Sequence, residues 1–456
     1  MQTQIFTVHK RHLGLRAPTV LAVGFALTIL VGALVLMLPV SAADGQITPF
    51  LDALFTAASA SCVTGLVTVS TAVHWSVFGK CVILLLIQIG GLGFMSVAAI
   101  ASFVLRRTIT LHERMVMSAG LNLSDGGGIV RLTRRVLFGT FIIEGTGAVL
   151  LSCRFVPHYG FPKGITMGVF HAVSAFCNAG FDLMGTPDDP FQSLIGWAED
   201  PLVNITLMAL IVLGGLGFFV WSDVWDKHSF CRLRLHTKIV LTATAGLLLF
   251  GFGWTLLFEW SNPATLGAFD TPHKLLAAAF ESVTLRTAGF NTIDLGALTG
   301  PSQAVSCLLM FIGGSPGSTA GGIKTVTAAV LVLTAISAFC GRTTVSAFGR
   351  TIAPRSIMNA VTLLMAGGVL CLVGACAIAG IEDAPFHQCL FEAVSAFGTV
   401  GVSMGLTPTL SAASRVILIV MMYMGRVGVL TLGVAVFMRR REPPRLKYPD
   451  ADVFIG

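Results

Sequence analysis

Charge is the first thing this sequence lacks. Only 11% of its 456 residues are Asp, Glu, Lys or Arg, against about 25% in soluble proteins. That is too little to cover a water-facing surface, so most of the exterior must face lipid. No two of the ten cysteines form a C-x-x-C pair. Cys62, Cys81, Cys177, Cys307 and Cys371 lie in apolar stretches, as buried thiols do, and neither a zinc site nor a disulfide framework is indicated. The net charge of +7 comes without an aromatic-laced basic patch, which argues against a nucleic-acid partner. No nucleotide-binding domain is present, and no enzyme is indicated. Gly313-Gly-Ser315-Pro-Gly317 fits G-x-S-x-G but lacks the strand–turn–helix and the histidine that motif needs. His171 instead opens a short helix on the outer side. Gly317 to Lys324 imitates a phosphate loop, yet Ile323 interrupts its Gly-Lys pair and no strand precedes it.

What the chain does have is apolar length. Stretches near 18–39, 78–105, 133–155, 202–222, 237–258, 303–338, 356–380 and 414–438 are long enough to span about 30 Å of hydrocarbon. The first resembles a signal peptide ending near Val40-Ser41-Ala42 but is expected to be a retained span, because later repeats begin the same way. Shorter apolar segments near 50–61, 165–177, 272–284 and 386–397 cannot cross and read as re-entrant helices. The connections segregate by charge. Arg106, Arg107, Arg114, Arg131, Arg134, Arg135, Lys227, Arg232, Arg234, Lys238, Arg342, Arg350, Arg355 and Arg439-Arg440-Arg441 fall on one side. Asp44, Asp52, Asp182, Asp188, Asp189, Glu199, Asp200, Glu259, Asp270, Glu382 and Asp383 fall on the other. The positive-inside rule puts the basic set and both termini in the cytoplasm, and the acidic set at a mouth that concentrates cations.

The short segments repeat. Phe55 to Leu66, with Ser59 and Gly65, matches Phe170 to Phe181, with Ser174 and Gly180, and Phe391 to Val402, with Ser395 and Gly401. The third copy, Phe280 to Phe290 with Gly289, departs by one position at its Phe and lacks the Ser at the shared offset. Four units follow: 1–114, 115–228, 229–350 with a broken second helix, and 351–456 with the C-terminal tail. The expected fold is an all-α membrane protein of four helix–pore loop–helix repeats, with eight transmembrane and four re-entrant helices in pseudo-fourfold array about one pore. Gly90-Gly91-Leu92-Gly93 recurs as Gly214-Gly215-Leu216-Gly217, Gly313-Gly314 and Gly425-Arg426-Val427-Gly428, a pattern that close helix packing alone could account for in the first two copies.

A dehydrated cation needs oxygens in place of its water, and rings of backbone carbonyls supply them. Aiming successive carbonyls at one axis takes unusual backbone angles, which glycine permits, and the short helices direct their C-terminal partial negative charge toward the cavity. The filter candidates are Cys62, Val63, Thr64 and Gly65; Cys177, Asn178, Ala179 and Gly180; Arg286, Thr287, Ala288 and Gly289; and Gly398, Thr399, Val400 and Gly401. Expected ion ligands are Val63, Thr64, Asn178, Ala179, Thr287, Ala288, Thr399 and Val400.

On Thr64-Gly65, Cys177-Asn178-Ala179-Gly180-Phe181, Arg286-Thr287-Ala288-Gly289-Phe290, Thr399-Val400-Gly401, the run Gly313 to Lys324 and Gly425-Arg426-Val-Gly-Val-Leu-Thr, the chain resembles the pore-forming subunits of Ktr potassium uptake systems, within the Trk/Ktr/HKT superfamily, over nearly its whole length. The resemblance implies channel-like potassium uptake across the bacterial cytoplasmic membrane, with K+ in the filter because all four positions are glycine. In plant relatives a serine at the first position accompanies sodium transport. Sodium enters as a candidate activator. Implied partners are membrane lipid, a second pore subunit and a cytosolic nucleotide-binding regulatory ring on the basic loops. The tail Tyr448 to Gly456 is apolar enough to sit at the dimer contact. An alternating-access secondary cation transporter is the alternative, since broken helices and repeats occur there too.

The helix near 303–338 cannot be continuous. Gly313, Gly314, Ser315, Pro316, Gly317, Ser318, Thr319, Ala320, Gly321 and Gly322 combine five glycines with a proline. Each glycine costs about 1 kcal/mol in a helix, and non-helical backbone at that depth must line protein or water. The resemblance implies that this stretch, closed by Lys324, is an intramembrane gating loop. Arg426 lies in an apolar span, where burial costs about 2.5–3.5 kcal/mol. It is expected to face the pore near that loop, blocking ions or bonding loop carbonyls. Glu144 is expected to pair with a basic residue.

Overall fold

The computed structural model describes residues 17–93, 129–429, 431 and 433. The distal half of the second expected span, the 114/115 boundary, Arg106, Arg107, Arg114, Arg439 to Arg441 and the tail Tyr448 to Gly456 lie outside the described residues. The rest is mostly helical. It runs α1 (Ala17–Leu36), α2 (Phe50–Cys62), α3 (Val77–Leu92), α4 (Ile129–Tyr159), α5 (Phe161–Phe176), α6 (Pro201–Leu216) and α7 (Phe218–Lys227). Then come α8 (Leu235–Glu259), α9 (Thr271–Thr284), α10 (Gly300–Phe311), α11 (Thr325–Phe339), the hairpin β1 (Ser346–Ala347) and β2 (Arg350–Thr351), α12 (Pro354–Glu382), α13 (Phe386–Gly398) and α14 (Ala412–Val427).

Among the described residues, Thr19–Leu36, Thr133–Tyr159, Leu235–Glu259 and Pro354–Glu382 are long and apolar enough to cross a membrane, and α6–α7 adds a fifth when the bent pair is counted as one span. These four are the first, third, fifth and seventh expected spans. Helix starts follow local chemistry: Asp200 caps α6 by accepting from Leu202 N (3.0 Å) and Val203 N (3.2 Å), with Pro201 at the first position. There a missing N–H costs nothing. The sixth span is broken as expected, but the second, fourth and eighth are interrupted as well. Near 202–222 the helix breaks at Gly217, φ +92°, and the chain turns by 91°. Helices α3 and α14 likewise stop at Gly93 and Gly428, each with positive φ. Only a residue without Cβ takes that conformation cheaply.

Each short helix packs beside its own unit's longer helices: α2 on α1 and α3, α5 on α4 and α6, α9 on α8, and α13 on α12 and α14. Each inner helix also meets the short helix of the next unit: α3 on α5, α6 on α9, α10 on α13, and α14 on α2. The series therefore closes on itself. Arg415 of α14 secures the closure by donating to Asp52 of α2 at 2.7 Å, where Thr68 also donates at 2.8 Å.

The core is the buried ring of short helices, with Phe55, Phe280 and Phe391 fully enclosed and Phe170 4% exposed.

Candidate functional site

Each short helix ends by entering the left-handed region at a non-glycine residue: Val63 (φ +58°), Asn178 (+58°), Thr287 (+70°) and Thr399 (+52°). Two residues on, a glycine is again left-handed: Gly65 (+98°), Gly180 (+68°), Gly289 (+88°) and Gly401 (+92°). Left-handed backbone costs a non-glycine residue about 1–3 kcal/mol and clusters at functional sites. Here it recurs at one register in all four units. Alternating hand along three residues turns successive carbonyls toward the same side, the arrangement a carbonyl-lined ion site requires.

The four glycines form a closed ring. A methyl added at Gly65 would lie 2.6 Å from the Ala179 oxygen, and one at Gly180 would lie 2.8 Å from the Ala288 oxygen. At Gly289 it would lie 2.6 Å from the Val400 oxygen, and at Gly401 it would collide with the Thr64 oxygen. Each glycine thus presses on the carbonyl that precedes the next unit's glycine, and the fourth returns to the first. Above the ring sits a cavity of about 200 Å³ lined by Gly65, Gly289, Gly401, Asp182 and Asp294.

Hydroxyls on the short helices hold the segments from behind. Ser59 Oγ accepts from Gly65 N (3.0 Å), and Ser174 Oγ donates to Phe181 O (2.7 Å). Ser395 Oγ accepts from Gly401 N (3.1 Å) and donates to Val402 O (2.7 Å). In the third unit Thr284 Oγ1 donates to Phe290 O at 2.6 Å. The third copy therefore does carry the hydroxyl, which is visible when residues are counted from Phe280 rather than from Gly289. The missing residue falls after α9. Ser395→Ala would leave Gly401 N and Val402 O buried without that partner, a cost of about 1–3 kcal/mol. A lower melting temperature for Ser395→Ala than for Ser395→Thr is the expected result.

The segment from Gly313 to Lys324 lies beneath the ring. Its base is closed by Gly313 N to Ile323 O (2.8 Å) and Thr325 N to Gly314 O (3.0 Å). Arg286 joins both ends, donating to Gly313 O (3.0 Å) and Thr325 Oγ1 (2.9 Å). On one side Ser315 N donates to Gly215 O (3.0 Å) and Thr319 Oγ1 to Phe176 O (3.2 Å). On the other, Gly321 N donates to Thr399 Oγ1 (3.0 Å). Arg426 donates to Thr319 O and to Gly90 O, and to Gly91 O at 3.3 Å. Lys324 Nζ donates back to Ala320 O (2.6 Å). Below, Phe218 N at the α6–α7 bend donates to Gly317 O (2.9 Å).

A family model for the TrkH cation transport proteins matches residues 6–442. The chain belongs to this family. It is a transport protein and not an enzyme. It is 42% identical over 439 residues to Ktr system potassium uptake protein B of Bacillus subtilis, covering 96% of each chain. It is 40% identical to the potassium/sodium uptake protein NtpJ of Enterococcus hirae, again over 96% of each chain. Against the Ktr system potassium uptake protein B of Vibrio alginolyticus it is 37% identical over 96% of this chain and 95% of that one. The crystal structure of the potassium transporter TrkH from Vibrio parahaemolyticus shares the fold, with TM-score 0.70 and 16% identity over 94% of this chain and 86% of that one.

Of the residues singled out in the sequence, the short segments and the loop come together. Three others differ from expectation. Arg286 sends its guanidinium to the loop base, away from the ring. His171 does not open α5, which begins ten residues earlier at Phe161. Instead it is buried within the helix, its Nδ1 bonded to Met167 O (2.8 Å) while its Nε2 accepts from Leu183 N (3.3 Å). Glu144 turns to an amide instead of a base: Gln88 Nε2 donates to both its oxygens at 3.2 Å, and the Cys177 thiol approaches at 3.8 Å. Sequence reading missed Glu392, which accepts from Ser403, from Met404 N (3.2 Å) and from Thr407 Oγ1 (2.6 Å), anchoring the strand after the fourth ring glycine. Its place immediately after Phe391, matching His171 after Phe170, was the available signal.

Proposed function

We propose that this chain conducts potassium ions into the bacterial cell through one pore built by four repeats of eight membrane spans and four re-entrant helices. Carbonyls of Val63, Thr64, Asn178, Ala179, Thr287, Ala288, Thr399 and Val400 select the ion, and the segment Gly313–Gly322 with Lys324 and Arg426 gates it. The closed ring of Gly65, Gly180, Gly289 and Gly401 carries this reading, because each left-handed glycine abuts the carbonyl before the next one. The potassium uptake named in three relatives supports the choice of ion, and Asp182 and Asp294 at the outer cavity support cation entry.

Control by a cytosolic nucleotide-binding ring is our own step, and so are a pore-subunit dimer, cytoplasmic termini and sodium activation. Relatives named as parts of a Ktr system support a further component. The basic connector after α7 supports a docking place for it. There Lys238 stacks over Phe230 (5.7 Å) and Phe348 (5.8 Å), beside exposed Arg232, Arg342 and Arg350. Asp223 of α7 accepts from Arg234 N (2.8 Å) and Thr237 Oγ1 (2.7 Å), which ties that connector to the helix that bonds Gly317.

The test is growth and potassium uptake by a potassium-uptake-deficient bacterium expressing this chain with and without a Ktr regulatory partner. Restored growth at low potassium, with flux following the gradient in reconstituted vesicles, is the expected outcome. Saturating, strictly exchange-coupled flux would instead indicate an alternating-access carrier.

A further inference from the structure

The inner ends of the four ring segments are Val63, Asn178, Thr287 and Thr399, all fully buried. Three of the four carry side-chain oxygens: Asn178 meets Thr287, and Asn178 and Thr399 each meet the loop. Thr399 Oγ1 takes the Gly321 N–H at 3.0 Å. Asn178 Nδ2 lies 3.3 Å from Thr287 Oγ1, and its Oδ1 lies 3.2 Å from Thr319 Oγ1. Turning the amide over reverses the donors, leaves its oxygen beside Thr287 Oγ1, and lets its nitrogen donate to Thr319 Oγ1 (3.2 Å), Phe176 O (3.2 Å) and Ile211 O (3.3 Å). The ring order makes the second and fourth units diagonal to each other. A loop that bonds Asn178 on one side and Thr399 on the other therefore crosses beneath the centre of the ring. A side chain at Gly321 would collide with Thr399, so loop and segment are already in contact.

We propose that the side-chain oxygens of Asn178, Thr287 and Thr399 form an innermost site for a dehydrated monovalent cation, and that the loop and the ion compete for it. This rests on the filter reading above and adds to it how the permeant ion acts on the loop. A hydroxyl offers two acceptor lone pairs. With the loop seated, the Gly321 amide occupies one of those on Thr399 and points the positive end of its dipole toward the place an ion would take. Lys324 and Arg426, both bonded to loop carbonyls, add positive charge on the same side. An ion at this site and a seated loop therefore exclude one another. Linkage makes the exclusion reciprocal: whatever factor loop seating takes from ion affinity, bound ion takes from loop seating. Potassium then helps to open its own path, and release of the loop completes the innermost site.

The experiment uses the full chain carrying Ser318→Cys, reconstituted without a partner, with the unsubstituted chain run in parallel for its native thiols. The reading is the rate of modification by a water-soluble maleimide as potassium replaces choline at constant ionic strength. Potassium and rubidium should accelerate modification by at least about fivefold, the low end of ordinary coupling between sites, whereas choline should not. Adding Thr399→Val should make modification fast in choline and insensitive to potassium, while Thr399→Ser should keep the wild-type dependence. Potassium protection against thermal unfolding, measured on the same proteins, reports ion binding separately and shows that each variant is folded. If potassium protects the fold but leaves the modification rate unchanged, or if Thr399→Val keeps the full dependence, the competition is wrong and the filter reading stands. If potassium neither protects nor accelerates, both fall together.

Discussion

Replacing Gly65 with serine should lower potassium uptake by at least about tenfold, equivalent to about 1.4 kcal/mol or more in the ion's path, and let sodium through in its place. Two effects combine at this position. At φ +98° any L-residue is strained, by about 1–2 kcal/mol. The new Cβ would also stand 2.6 Å from the Ala179 oxygen and 3.1 Å from Gly180 Cα, so the neighbouring unit's carbonyl must turn away. That carbonyl is one of the eight proposed ligands. Gly45 separates the two effects. It too is left-handed, at φ +69°, but nothing lies within 4 Å of an added Cβ. Gly45→Ser should therefore cost some stability and leave the ratio of rubidium to sodium uptake unchanged. Equal ratios in the two variants would show that the ring does not set selectivity.

Removing the Arg426 guanidinium should raise partner-independent flux by at least about tenfold. A hydrogen bond to a charged group contributes about 1.5–3 kcal/mol, and this side chain bonds Thr319 O in the loop together with Gly90 O and Gly91 O at the end of α3. It therefore ties the loop to the first unit, while Thr399 and Phe176 tie it to the fourth and second. Arg426→Lys distinguishes tethering from plain repulsion. Lysine keeps the charge but is a compact donor without the fork that reaches two separate carbonyls. If tethering dominates, lysine should behave nearly as alanine does. Wild-type behaviour in the lysine variant would assign closure to charge alone, which Lys324 already supplements at the loop's end. Unchanged basal flux in Arg426→Ala and in a deletion of the loop would remove the gate altogether.

The features legible in the sequence share one property: each is a local demand of the backbone. Four glycines at nearly equal spacing, three of them at the same short step after a serine on an apolar helix, announce four left-handed turns. No other residue type takes those angles against a neighbouring carbonyl. The run of five glycines and a proline forbids a continuous helix for the same reason, and it is non-helical between α10 and α11. The third unit shows how this reading fails. Counting back from Gly289 hides Thr284, because one residue is missing where the helix meets the segment, yet the chain restores the same bond to Phe290 O. The break at Gly217 was missed as well: the cluster Gly214-Gly215-Leu216-Gly217 reads as packing until Gly317 is found across from it.

The sequence by itself determined the membrane character, the four repeated short segments with their glycines and the interruption at Gly313–Gly322, since composition, period and permitted φ act over a few residues. Only the tertiary structure decided which unit faces which, and that the loop of the third unit bonds the second and fourth. It also decided that Arg426 reaches both Thr319 and Gly90, and that Glu144 turns to Gln88 instead of a base. Those contacts join residues that are mostly 50 to more than 300 positions apart. Nothing in local propensity encodes them. They exist because the closed series of helices brings carbonyls, hydroxyls and the guanidiniums of Arg286 and Arg426 into a common buried space, where most polar groups find a partner.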